Sequence, residues 1–174
     1  MTPLKLVVSG PVGAGKTTFV QTLSETAVVA TEAEASEDIG KVHTTVAMDF
    51  GTLTLEGQTL HLYGTPGQDR FDFMWDVLCE GALGLALLLA GDRPQDFAPA
   101  RHILDHITSR YALPFVVGVT RQDQPRVWLP EGVALYFGVP SAQVLGINAT
   151  DPDSARTLLI ALLERTLAAP TARP

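Results

Sequence analysis

Apolar and polar positions divide the chain into short, almost wholly apolar runs and longer segments with a one-sided apolar stripe. Residues 4–9 (LKLVVS), 83–90 (LGLALLLA), 115–119 (FVVGV) and 144–147 (VLGI) lack the alternation of a strand with one wet face. They are therefore predicted to be strands buried on both sides, as in a parallel sheet covered by helices. Helical stripes lie between them: Lys16, Phe19, Val20 and Leu23; Ala100, Ile103, Leu104, Ile107 and Tyr111; and Ala155, Leu158, Leu159, Leu162 and Leu163. Each follows the i, i+3, i+4, i+7 spacing of a helix with one face on a core. Asp151 before Pro152 reads as the N-cap and first residue of the last helix. Residues 45–55 and 59–63 flank Glu56-Gly57-Gln58 and are predicted to form a hairpin, adding one antiparallel edge strand. Residues 26–41 show no sustained period and carry four acids, so a mobile surface loop is expected there. The prediction is an α/β three-layer fold: a six-stranded, mostly parallel sheet with helices on both faces. Residues 1–168 are expected to form one domain and residues 169–174 a disordered tail.

Composition narrows the function classes. With 174 residues the chain is long enough for a single core. Twelve Lys+Arg stand against 19 Asp+Glu, a net charge of −7, which speaks against nucleic-acid binding through clustered basic residues. A lone cysteine, Cys79, supplies neither an internal disulfide nor a structural zinc site, and is expected to be a core residue of a cytoplasmic protein. The longest apolar stretch, residues 82–90, is about half the length a membrane-crossing helix needs. No intrinsic membrane anchor is expected.

Gly10-Pro11-Val12-Gly13-Ala14-Gly15-Lys16-Thr17 matches G-x-x-x-x-G-K-[ST], following a buried strand and opening a helix, where that motif belongs. Gly13 and Gly15 let successive backbone N–H groups, including those of Ala14 and Thr18, converge on a phosphate, and the helix N-terminus adds partial positive charge. Lys16 is expected on the β- and γ-phosphates and the Thr17 hydroxyl on Mg²⁺. The competing reading, a glycine-rich turn without ligand, leaves Lys16 and Thr17 without purpose.

Downstream, Tyr63-Gly64-Thr65-Pro66-Gly67-Gln68-Asp69-Arg70-Phe71 resembles the W-D-T-A-G-Q-E-R-F of Ras-superfamily small GTPases, and Thr44-Thr45-Val46-Ala47-Met48-Asp49-Phe50 resembles the T-I-G-V-D-F of their first switch. The likeness is strongest to bacterial members, the gliding-motility polarity switch GTPases and the conservon-type GTPases. The resemblance implies a small G-protein fold and a switch that binds GTP/GDP with Mg²⁺ and closes two loops on the γ-phosphate. It implies that Thr45 binds Mg²⁺ and the γ-phosphate, that the Gly67 N–H touches that phosphate, and that Gln68 orients the attacking water. Thr120-Arg121-Gln122-Asp123 stands where the family has N-K-x-D, and Asn148-Ala149-Thr150 where it has S-A-K. Asp123 would accept two hydrogen bonds from guanine, Arg121 would lie along the base, and the Ala149 N–H would meet the guanine O6. Thr120 lacks the amide that ties this loop to the phosphate loop, so weaker affinity is expected.

Several departures bear on activity. Gly64 replaces the aspartate that usually holds Mg²⁺ through water. Asp49 is expected to be a strand carboxylate facing solvent or a partner, with approach to the metal as the alternative. Val12 is expected to crowd the γ-phosphate region, and no arginine occurs between residues 18 and 69, so hydrolysis is expected to be slow and partner-stimulated. The rivals are a nucleotide-held interaction module with little hydrolysis and an ATP-binding P-loop protein. The resemblance implies a roadblock/LC7-type partner for a chain that is monomeric alone. Phe71, Met74, Trp75 and Leu78 either pack on the sheet or, with Phe73 and Trp75 outward, form that partner's docking site. Glu32, Glu34, Glu37 and Asp38 place acidity in the first switch loop and suggest a basic partner. His102 and His106 have metal-ligand spacing without a third ligand, so a solvated helix face is expected.

Overall fold

The computed structural model describes residues 3–36, 43–65 and 72–168. In chain order the elements are β1 (Leu4–Ser9), α1 (Lys16–Leu23), β2 (Val29–Ser36), β3 (His43–Leu55), β4 (Gln58–Gly64), α2 (Asp72–Cys79), β5 (Gly84–Ala90), α3 (Phe97–Tyr111), β6 (Phe115–Thr120), α4 (Pro130–Phe137), β7 (Val144–Gly146) and α5 (Pro152–Ala168). The strands form one sheet in the order β2-β3-β4-β1-β5-β6-β7. Parallel pairing joins β4, β1, β5, β6 and β7, and β3 alone runs against its neighbours β4 and β2.

Two-sided burial explains the apolar strand sequences. Leu6 and Val8 of β1, Ala86 and Leu88 of β5, and Val116 of β6 pack with Phe19 and Val20 of α1 and Leu158 and Leu162 of α5. The intervening residues Val7, Leu85, Leu87, Leu89, Val117 and Val119 pack on the opposite face with α2, α3 and α4. Successive side chains of a strand point to opposite faces, so a strand covered on both sides is apolar at every position. The expected three-layer fold is therefore present, with a seventh strand.

That strand corrects the loop expected over residues 26–41. Val29–Ser36 pairs residue by residue with β3, from Val29 opposite Phe50 to Ser36 opposite His43, and so becomes the sheet edge in place of β3. Glu32 and Glu34 accordingly belong to an edge strand, and Glu37 and Asp38 lie outside the described residues. The hairpin is tighter than expected: only Glu56 and Gly57 separate β3 from β4, with φ of 50° and 79°, the left-handed pair of a type I′ turn. At α5 the Asp151 carboxylate accepts from the Asp153 N–H at 3.1 Å, the expected cap. The short helix α4 was not predicted, although Pro130 begins it and a left-handed Gly138 ends it.

Candidate functional site

The phosphate motif occupies the turn between β1 and α1, at the carboxyl end of the central strands. Gly10 has φ of 149°, and a Cβ there would lie 2.1 Å from the Leu88 carbonyl oxygen, so only glycine lets the loop leave β1 against β5. Gly15 caps α1 in a left-handed conformation, and the helix has neither a capping side chain nor an acid in its first turn. Its first N–H groups are thereby left for an external anion. The Lys16 ammonium donates to the Gly10 carbonyl and, at 3.4 Å, to that of Pro11. Burial pushes its pKa from the ordinary 10.5 down to about 8, against a smaller opposing pull from Asp49. A buried cation held mainly by carbonyls suits an anionic ligand. The adjoining cleft, of about 440 Å³, is lined by Val12, Lys16, Thr17, Met48, Asp49 and Gly64 among others.

Asp49 is half-buried and its carboxylate has a partner in the protein. Its Oδ2 accepts from the Thr17 hydroxyl at 2.5 Å. The carboxylate thus meets the first turn of α1, beside the phosphate loop. The pairing of β3 with β4 sets Asp49 directly opposite Gly64 and so brings it to the phosphate loop.

A second cleft of about 320 Å³ continues from Gly13 and Thr18 to Thr120, Arg121, Asp123 and Ala149. Thr120 does tie its loop to the phosphate loop: its buried hydroxyl lies 2.9 Å from the Ala14 carbonyl oxygen and 3.2 Å from that of Leu89. The expected loss of that link is corrected, because a hydroxyl at the end of β6 reaches the phosphate loop at the Ala14 carbonyl. Arg121 has a left-handed backbone, φ 63°, and its guanidinium joins Asp92 at 3.1 Å and the Gly13 carbonyl at 3.4 Å. Asp123 is exposed at the far end, and among the described residues its carboxylate accepts a side-chain hydrogen bond from the Gln124 amide alone, at 3.3 Å. Opposite, the Asn148 side-chain oxygen accepts from the Thr150 N–H at 3.1 Å and hydroxyl at 2.6 Å, while the Ala149 carbonyl accepts from Thr22 of α1 at 2.7 Å. These bonds hold the turn while the Ala149 N–H has no hydrogen-bond partner among the described residues. A phosphate cradle at one end and two convergent polar groups at the other match an elongated, polyphosphate-bearing ligand.

Residues 26–145 match the family described as conserved hypothetical ATP binding protein. The chain belongs to that family. It is also similar to an uncharacterized protein of Methanocaldococcus jannaschii, 37% identical over 151 residues, covering 85% of this chain and 71% of the relative. This member of the P-loop nucleotide-binding family carries its phosphate loop ahead of the matched segment, whereas Asp49, Gly64, Thr120 and Asp123 all fall within it.

Of the residues expected at the site, the fold gathers Gly13, Ala14, Gly15, Lys16, Thr17, Thr18, Thr120, Arg121, Asp123, Asn148, Ala149 and Thr150 around the two clefts. Thr45 lies in β3, paired with Glu34, and Gly67 and Gln68 lie outside the described residues together with Arg70 and Phe71. Two residues were missed. Asp92 anchors Arg121, and Ser9 meets Thr65 through a buried 2.6 Å hydroxyl pair joining the end of β1 to the end of β4. Their signal was only position, each at or just beyond the carboxyl end of a buried strand.

Of the two readings of the face carrying Trp75, packing on the core holds for this residue, and the outward docking alternative does not. Trp75 is fully buried, packed among core residues of the second layer, with His106 and His102 edge-on at 5.2 and 6.3 Å, so it offers no docking surface. His102 is nonetheless exposed and His106 half-buried, in keeping with the solvated helix face expected of them. Among the described residues no group of three or more His, Cys, Asp or Glu could hold a metal, and no helix is long and apolar enough to cross a membrane. Cys79 is buried in the core as expected.

Proposed function

We propose that this chain is a GTP-binding switch that hydrolyses GTP slowly to GDP and phosphate in the presence of Mg²⁺. The observation carrying the guanine reading is Asp123. Its carboxylate, open at the end of the cleft, accepts hydrogen bonds and donates none. Guanine offers two adjacent donors, N1–H and the N2 amino group, whereas adenine offers an acceptor beside its amino donor and would set a lone pair against the carboxylate. The Ala149 N–H adds a donor suited to the guanine O6 and ill-suited to the adenine amino group. The family's description supports a second reading, ATP binding. Titration calorimetry with GTP, GDP and ATP separates the two. Tight GTP and GDP binding, lost at least tenfold in Asp123→Ala, supports the guanine reading; equal or tighter ATP binding, unaffected by that substitution, overturns it.

In this reading the first N–H groups of α1 and the Lys16 ammonium would hold the phosphates, and the Thr17 hydroxyl and Thr45 would be the metal's protein ligands. Hard oxygen donors suit Mg²⁺, which would neutralise charge on the β- and γ-phosphate oxygens. Gln68, with the Gly67 N–H on the γ-phosphate, would orient the water that attacks phosphorus as the bond to the bridging oxygen breaks. No arginine lies between residues 18 and 69, and Arg121 is occupied by Asp92 and the Gly13 carbonyl. A stimulating cation would therefore come from Arg70 or from a partner, and a roadblock/LC7-type protein acting on a cytoplasmic monomer is the partner the motifs suggest. Its docking would use residues other than Trp75.

A further inference from the structure

Residues 121–129 link β6 to α4 and bring Arg121 and Asp123 to the far end of the second cleft. Thr120, Arg121, Asp123 and Gln124 all line that cleft, whereas Gln122 lies behind it. The left-handed backbone of Arg121, φ 63°, turns the chain here, and the Gln124 N–H closes the turn on the Arg121 carbonyl at 3.0 Å. Gln122 is half-buried, its side chain seated between two glycines at the ends of the flanking strands. A Cβ on Gly91, just after β5, would lie 3.0 Å from the Gln122 amide nitrogen. One on Gly146, the last residue of β7, would lie 3.0 Å from its Cγ and 3.1 Å from its Oε1. A side chain at either position would enter the space Gln122 fills. In this slot the Gln122 amide donates to the Trp128 carbonyl at 3.0 Å, and the Trp128 N–H donates to the Gly91 carbonyl at 2.9 Å. One side chain thus ties the two ends of the loop together and wedges them against the ends of β5 and β7.

We infer that Gln122 is a positioning residue for base discrimination, which rests on the guanine reading above: seated behind the cleft, it fixes the peptide that carries Asp123 and so aims the carboxylate at both guanine donors. Among the described residues the Asp123 carboxylate accepts one side-chain hydrogen bond, from its neighbour Gln124, so its direction is set by the backbone that Gln122 holds. Two hydrogen bonds to one ring edge demand a carboxylate held in the plane of that ring. The phosphates would be held elsewhere, by α1 and Lys16. Releasing the loop therefore falls on the contact to the guanine 2-amino group, whereas a role confined to folding would weaken every nucleotide alike.

The test measures, by titration calorimetry on the intact protein, affinities for GDP and for inosine diphosphate, which keeps N1–H and O6 but lacks the 2-amino group. Gln122→Met keeps a stem of similar length in the slot without the amide donor, and Gln122→Ala empties the slot. The wild type is expected to prefer GDP by about tenfold or more. That ratio is expected to fall by about fivefold or more in Gln122→Met and at least as far in Gln122→Ala, with most of the loss in GDP affinity. An unchanged ratio in either variant, or GDP and inosine diphosphate affinities that fall by the same factor, overturns the inference. A wild type that binds the two diphosphates equally overturns the guanine reading itself, and the role of Gln122 with it.

Discussion

Lys16→Met is expected to stabilise the nucleotide-free protein while abolishing its affinity for phosphate. In the fold the ammonium titrates at about 8, against an ordinary value of 10.5 for an exposed lysine, and burial is the main cause. At about 1.4 kcal/mol per pH unit, keeping it charged inside the fold costs about 3 kcal/mol at pH 7. Below pH 8 both the folded and the unfolded chain hold the proton, and the cost is fully present. Between about 8 and 10.5 the unfolded chain holds a proton the fold has given up, so stability rises with pH, and by pH 9.5 the cost has shrunk to about 1.4 kcal/mol. Methionine preserves the length of the stem without the charge and escapes this cost at every pH. Urea unfolding of both proteins at pH 7 and 9.5 isolates the effect, since other titrating groups cancel in the difference. The variant should be more stable by about 3 kcal/mol at pH 7, with the gap closing by about half at pH 9.5. A variant less stable than the wild type at pH 7, or a gap independent of pH, refutes the reasoning. The same protonation governs binding: phosphates favour the ammonium, so nucleotide affinity should be greatest below pH 8 and decline above it.

Two further substitutions test the packing around the clefts. Thr120→Val removes the hydroxyl that lies against the Ala14 and Leu89 carbonyls, and is expected to cost about 1–2 kcal/mol in urea unfolding and to weaken nucleotide binding in calorimetry. Unchanged stability and affinity would mean the link carries nothing. Trp75→Ala empties a fully buried site and should cost about 3–5 kcal/mol in the same unfolding assay. A loss below about 1 kcal/mol would contradict the burial of the ring.

What could be read from the sequence, and what could not, follows from the range over which each feature is determined. The buried strands and the phosphate turn were legible because burial on two faces, or a backbone that must curl around phosphate, constrains consecutive residues. The strand β2 was not. Thr31-Glu32-Ala33-Glu34-Ala35-Ser36 does alternate with period two, but alanine and glutamate are poor strand formers, and pairing with β3 outweighs their preference. The burial of Trp75 was equally undecided by its spacing, since a helical stripe does not reveal which of its flanks another helix will cover; α3 covers it with His102 and His106.

The two departures that suggested a weakened site, Gly64 and Thr120, show why position in a motif is an incomplete guide to chemistry. A motif records where a group is attached to the backbone, whereas a ligand meets the group where its atoms end up. Thr120 reaches the Ala14 carbonyl with a different functional group from the same position. Asp49 reaches the Thr17 hydroxyl from a position 15 residues earlier than Gly64, because the two-residue turn at Glu56-Gly57 fixes the register that sets them opposite each other. Substitution at Glu56 or Gly57 that slipped this register by one residue would turn the Asp49 side chain to the other face of the sheet. The phosphate cleft thus depends on a turn at the far end of the hairpin.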